Sequence, residues 1–218
     1  MKQVYKTIAN TTVYKDESTQ AYYFTGACMI DADGAPKAYH NDDKLALDNL
    51  SNGGEPGNWW ALVTDTYEPS GTPLIQTASD PAPGYYISMT TLEDKDKKHT
   101  DPSRFVNSEI IPFIAIPRGF SQDFKLGDIA LVYNKKNGKK CFAIYADVGP
   151  KHLLGEGSIK LANELGINSN AKHGGVESGI GYVLLIGSGR HTMLTREQID
   201  EIGKARLSED EIDMLIKE

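Results

Sequence analysis

Two acidic residues stand where their neighbours are mostly apolar or glycine. Asp147 closes the run Phe142-Ala143-Ile144-Tyr145-Ala146, and Glu156 sits in Gly155-Glu156-Gly157-Ser158, just ahead of a helical pattern. Between them lie Gly149, Pro150 and Gly155, residue types that let a chain fold back sharply. Such a loop could hold two carboxyls across a cleft. A facing Asp and Glu suit hydrolysis of a glycosidic bond, one protonating the leaving oxygen while the other activates water. The same spacing fits a plainer reading, in which Asp147 ends a strand and Glu156 caps a helix, and at this point both stay open.

Other chemistries lack their residues. Gly155-Glu156-Gly157 and Gly187-Ser188-Gly189 miss the third glycine of a dinucleotide fingerprint, and there is no Gly-Lys-Ser/Thr phosphate loop. His40, His99, His152, His173 and His191 are isolated, with no HExxH and no cysteine pair, so zinc is not expected. Asp31-Ala32-Asp33-Gly34 begins like a calcium loop, but Ala35 and Pro36 stand where an EF-hand takes a ligand and a glycine. It reads instead as an Asx-type turn closed by glycine. No Gly-x-Ser-x-Gly elbow occurs, and Cys28 and Cys141 read as buried small hydrophobes. Neither a metal nor a cofactor is expected.

The elements that must position the two acids are mainly strands. β-rich runs at 22–30, 59–64, 85–90, 110–116, 129–133, 142–145 and 181–186 are separated by Gly, Pro, Asn and Asp clusters. Asn137-Gly138 supplies the positive φ angles of a tight hairpin between Leu131-Val132-Tyr133 and the run that ends at Asp147. One internal helix is expected from Ser158 to Leu165, with Ile159, Ala162 and Leu165 on one face and Gly166 as its stop. Thr195 with Gln198, and Ser208 with Glu211, are capping-box pairs that each open an amphipathic stretch. The chain therefore reads as a mainly β protein. Residues 1–190 form a six- to seven-stranded β-barrel domain, and 191–218 a short helical appendage packed on the barrel or tethering it to a partner.

At 218 residues the chain is long enough to bury a core without a metal or disulfide staple. Its net charge of -7, without a long basic run, argues against nucleic acid as a partner, because phosphate binding needs a basic patch. An acidic surface serves solubility, and it also concentrates cations, including a polycationic substrate. The longest apolar stretches fall far short of a membrane span, and no apolar core follows Lys2, so neither a membrane span nor a signal peptide is expected in this chain.

Taken together, Gly127-Asp128-Ile129-Ala130-Leu131-Val132-Tyr133, Ala143 to Pro150, Gly155 to Ile159, Leu165-Gly166-Ile167-Asn168 and Gly174-Gly175-Val176-Glu177-Ser178-Gly179 resemble, in order and spacing, the catalytic half of the glycoside hydrolase family 75 chitosanases. Phe24-Thr25-Gly26, Met29 to Gly34 and the stretch from Asn52-Gly53-Gly54 to Asn58-Trp59-Trp60 resemble the amino-terminal half more loosely, so the likeness covers about residues 22–189. It implies endo-hydrolysis of the β-1,4 links of chitosan with inversion and no cofactor, by carboxylates matching Asp147 and Glu156. An extracellular or cell-envelope setting is implied too. Val148 and Lys151-His152-Leu153-Leu154 depart from the family pattern, which puts cleft shape and substrate choice in question. The Asp-x-Gly and its glycine-rich return also resemble the active-site strand of double-psi β-barrel enzymes, a group that includes glycan hydrolases and lytic transglycosylases acting on peptidoglycan. A non-catalytic glycan-binding module on the same barrel is the third reading.

Within the pair, desolvation at the end of an apolar strand would keep Asp147 protonated, and a helix N-terminus would favour ionised Glu156. The sequence thus favours Asp147 as acid and Glu156 as base. Asp31 and Asp33 match an acidic motif of the family and would hold the amines of glucosamine by charge-assisted hydrogen bonds. Tyr39, His40, Trp59 and Trp60 are candidates to stack on or orient sugar rings, although large aromatics are also what a core buries.

Overall fold

The computed structural model describes residues 2–217. In chain order the elements are β1 (Gln3–Ile8), β2 (Thr11–Asp16), β3 (Ala21–Asp31), α1 (Leu50–Gly53), β4 (Gly54–Glu55), β5 (Asn58–Trp59), β6 (Phe113–Ala115), β7 (Ile129–Asn134), β8 (Lys140–Asp147), β9 (Glu156–Ser158), α2 (Ile159–Leu165), β10 (Val176–Leu185), α3 (Arg196–Arg206) and α4 (Glu209–Lys217). Six strands close into a ring in the order β3-β10-β7-β8-β6-β9, with β9 returning to β3. The β6–β8 and β3–β9 pairs are parallel and the other four antiparallel. This closed barrel, with few helices and a small helical C-terminal part, is the expected fold class. β1 and β2 extend the sheet outward from the first residues of β3 and stand outside the ring.

The ring is buried on both faces, which is why its strands read as continuous apolar runs. Along β7 and β8, Ala130, Val132, Cys141, Ala143 and Tyr145 pack into one cluster with Tyr182 and Leu184. The alternating residues Ile129, Leu131, Phe142 and Ile144 pack into a second, with Val183, Ile199, Leu207 and Ile212. The C-terminal helices therefore cover one face of the barrel. Gly203 of α3 lies so close to the Phe142 ring that a Cβ would collide with it. Thr195 and Gln198 complete their capping box, and Arg196 bridges from α3 to Glu164 of α2, 2.7 Å away. Both cysteines are free and buried. No helix among the described residues is long and apolar enough to cross a membrane.

Residues 32–112, between β3 and β6, leave the barrel as a long excursion. The strands expected at 59–64 and 85–90 are here reduced to β5 and to isolated bridges such as Leu62 with Ser88 and Ile75 with Tyr86. Their apolar residues fill two satellite cores, one with Tyr39, Trp59 and Leu62 and one with Val63, Ile87 and Phe105. β-rich composition marks burial in this region, not a ladder. Conversely β1, mostly exposed, and β9, three residues with a central glycine, carry no apolar pattern that would announce them.

Candidate functional site

The two acids flank one strand. Asp147 ends β8, Glu156 opens β9, and β6 runs between them with Ala115 opposite both. Met29 of β3 lies opposite Glu156 on its other side. Two ladder spacings put the Cα atoms of Asp147 and Glu156 roughly 9 to 10 Å apart. Ala115 contributes only a methyl group to the row between them. Gly149 keeps the gap clear, since a Cβ there would lie 2.7 Å from Glu156 Oε2. The β6–β8 register shifts between Ile114 and Ala115, and a bulge of this kind re-aims the side chain beside it. On the Glu156 side, Gly155 takes φ 99°, and a Cβ there would collide with the Ala27 carbonyl, so only glycine serves.

Above this row an open groove of about 1030 Å³ runs between the barrel and the excursion. It brings together Asp31, Asp33, Tyr39, Trp60, Asp147 and Glu156 of the residues singled out from the sequence. Asp31 and Asp33 form the expected Asx-type turn: Asp33 N–H donates to Asp31 Oδ1 at 2.7 Å, and Gly34 follows with φ 74°. Tyr39 is buried, its hydroxyl donating to Asp33 Oδ1 at 2.7 Å, so it orients an acid and does not offer a ring face. Trp60 is 53% exposed on the groove, with its indole N–H donating to the Asn52 carbonyl. Trp59 and His40 are not brought to the groove. Trp59 packs in a satellite core because its position on β5 turns it inward. The His40 ring lies 4.9 Å from that of Tyr85, and its Nδ1 accepts the Asp42 N–H.

The electrostatics differ sharply among the four carboxyls. Asp31, Asp33 and Asp147 each present an oxygen within 4.8 Å of the others. Burial pushes Asp31 and Asp33 well above the usual carboxylate range, and the neighbouring acids push them further. Burial also raises Asp147, but three donors oppose it at one oxygen: Thr91 N–H at 2.9 Å, Thr91 Oγ1–H at 2.6 Å and Val148 N–H at 2.9 Å. Burial, then the charge of Asp147, lifts Glu156 to about 7. The helix N-terminus that the sequence places beside Glu156 is occupied instead by Ser158, whose hydroxyl accepts the Leu161 N–H. Burial thus raises both carboxyls, but hydrogen-bond donors oppose it only at Asp147, whereas the sequence places the support for a charged form at Glu156.

These carboxyls can do two things. Glu156 can hold and give up a proton near neutral pH, and the Asp31-Asp33-Asp147 cluster can accept a compact cation. Three carboxylate oxygens are half or less of the six to eight ligands calcium takes, and Asp33 N–H, Tyr39 and Thr91 already occupy part of them. Sequence reasoning missed Asp48, Thr91 and Arg118, which also line the groove. Asp48 reads locally as a turn residue, accepting from Asn49 N–H and from the Asn52 amide. Thr91 carries no local signal at all. No protein-family model matches the chain, and no curated protein matches it.

Proposed function

We propose that this protein is an endo-acting glycoside hydrolase that cleaves β-1,4 links in chitosan or a closely related amino-sugar polymer with inversion. The observation that carries the reading is the placement of Asp147 and Glu156 on either side of Ala115, at the floor of an open groove. A separation of roughly 6.5 to 9.5 Å between carboxyl groups is what an inverting hydrolase needs to fit a water, and two strand spacings support that range. Glu156 gives its proton to the glycosidic oxygen as the bond to C1 breaks. Asp147 takes a proton from the water that attacks C1 on the opposite face. One water is consumed, Glu156 ends ionised and Asp147 ends protonated.

The acid cluster supports the choice of sugar. A glucosamine ammonium entering beside Asp31 and Asp33 draws those carboxyls into their charged form, so recognition is selective for a cation over an acetamide. The motif resemblance to family 75 chitosanases supports the same polymer. A second reading, cleavage of peptidoglycan, draws on Arg118 and Lys151, two cations on the same groove that suit an anionic glycan. Incubating the protein with chitosan and with peptidoglycan, with product masses and anomeric NMR, separates the readings. Short glucosamine oligomers released first as the α-anomer support the proposal. Muropeptides overturn the substrate, and binding without products overturns the chemistry.

A further inference from the structure

Two of the three donors that hold the proposed base come from outside the barrel. Thr91 belongs to the excursion, and its segment touches two acids of the groove, Asp33 and Asp147. Ser88 Oγ accepts the Gly34 N–H at 3.0 Å and shares its one hydrogen between the Ala61 carbonyl at 3.3 Å and Asp33 Oδ1 at 3.4 Å, while Thr91 donates twice to Asp147 Oδ1. Thr91 Oγ1 also accepts the Val148 N–H at 3.3 Å, which turns its own hydrogen toward Asp147. The Leu92 N–H donates to the Ala146 carbonyl at 2.8 Å and pins this segment to the end of β8.

Charge on the groove floor has to be distributed. Three carboxyls whose oxygens lie within 4.8 Å cannot all be ionised at low cost. Donors decide which one is. Asp31 receives the Asp33 N–H, and Asp33 receives the Tyr39 and Ser88 hydroxyls. Asp147 receives three donors, two of them from Thr91. Glu156 and Tyr145 also feel the Asp147 charge, and Asp48, Glu93, Arg118, Lys151, Lys172 and His173 are the further titratable or charged groups that line the groove.

We infer that Thr91 is a positioning residue that aims Asp147 and holds its charge, so that the excursion, and not the barrel, assigns base and acid within the pair. This rests on the hydrolytic reading for its catalytic half only, because the charge on Asp147 can be measured without a substrate. Thr91→Val keeps the shape and the backbone N–H and removes the hydroxyl, whereas Thr91→Ser keeps both donors.

The test is a carboxyl-carbon NMR titration of the full chain labelled at aspartate, with the Asp147 signal assigned by its loss in Asp147→Asn. Reducing-end release from chitosan is followed beside it from about pH 4 to 8. In Thr91→Val the Asp147 titration and the acid limb of kcat should both move up by about one pH unit. kcat should fall about 10- to 100-fold with KM within about twofold, and Thr91→Ser should restore most of both. An Asp147 titration unmoved in a Thr91→Val protein of unchanged Tm overturns the inference whatever the substrate. A shifted titration with no effect on kcat overturns its catalytic half. Full activity in Asp147→Asn instead overturns the hydrolytic reading.

Discussion

The barrel and the excursion are ordered by different means. In the barrel, backbone groups meet in ladders and side chains fill apolar clusters on both faces. In residues 32–112 regular elements are few, and buried polar side chains such as Asp48, Thr64, Gln76, Ser88 and Thr90 take over the pairing of backbone groups. Gln76 alone donates to the Pro36 and Tyr86 carbonyls and accepts the Ala82 N–H. The division carries into the site. The barrel presents Asp147 and Glu156 on rigid strands, and the excursion supplies the opposite wall with its donors and aromatics. In the proposed hydrolase, chemistry would draw on the strands of one region and selectivity on the irregular backbone of the other.

The sharpest way to break this comparison is to remove the barrel's carboxyls. Asp147→Asn and Glu156→Gln should each lower chitosan hydrolysis by about 100-fold or more while far-UV circular dichroism stays unchanged. Most activity surviving in either variant would mean that the barrel does not carry the chemistry.

Next in size are paired stability changes. Ile199→Ala empties part of the barrel's outer cluster and should cost about 2 to 4 kcal/mol in denaturant unfolding, with kcat at low temperature unaffected. Gln76→Ala should cost about 1 to 3 kcal/mol, because buried carbonyls lose their donors. Its effect should be local: faster hydrogen exchange over 32–112, unchanged protection in β7 and β8, and a raised KM. If both variants loosened the whole chain equally, the two regions would be one cooperative unit.

A smaller effect concerns pH. The folded carboxyl of Glu156 is raised to about 7 from an ordinary value near 4.5, so its contribution to stability is full below about 4.5 and is lost as pH rises toward 7. Glu156→Gln should therefore be more stable than the parent at pH 8, by about 1 to 2 kcal/mol, and show no such gain at pH 4. Equal unfolding midpoints at pH 8 would deny that burial strains this carboxyl. Smallest is the effect of salt. kcat/KM on chitosan should fall several-fold as the Debye length shrinks from about 30 to about 8 Å, and Asp33→Asn should flatten that slope. Salt-insensitive turnover would make the net charge of -7 a matter of solubility and favour a neutral glycan.

What could be read from the sequence follows from how local each signal is. The β7–β8 hairpin was legible because Asn134 to Gly138 encodes its own turn, although only Gly138, at φ 72°, and not Asn137 takes a positive angle, and with it came Asp147 at a strand end. α2 was legible through its apolar face and its stop at Gly166, while its N-cap is Ser158, which the sequence pattern places inside the helix. The unequal hydrogen-bond support of the two carboxyls was not, because Asp147 gets two of its three donors from Thr91, 56 residues away in the chain. Trp59 and Trp60 are neighbours in sequence and opposite in fate, 9% and 53% exposed, because adjacent residues of an extended segment face opposite ways. Nothing in composition chooses between them.

The closure of the ring joins residues from distant parts of the chain: Tyr23 pairs with Val183, and Met29 with Glu156. Contacts of such high sequence separation are slow to form, since loop-closure entropy is spent before they contribute. The β7–β8 hairpin, in contrast, can form within about 1 to 10 μs. The row from Asp147 through Ala115 and Glu156 to Met29 exists only after the distant strands have met. For the proposed hydrolase, returning activity during refolding would be a clock for barrel closure, lagging the first appearance of strand signal.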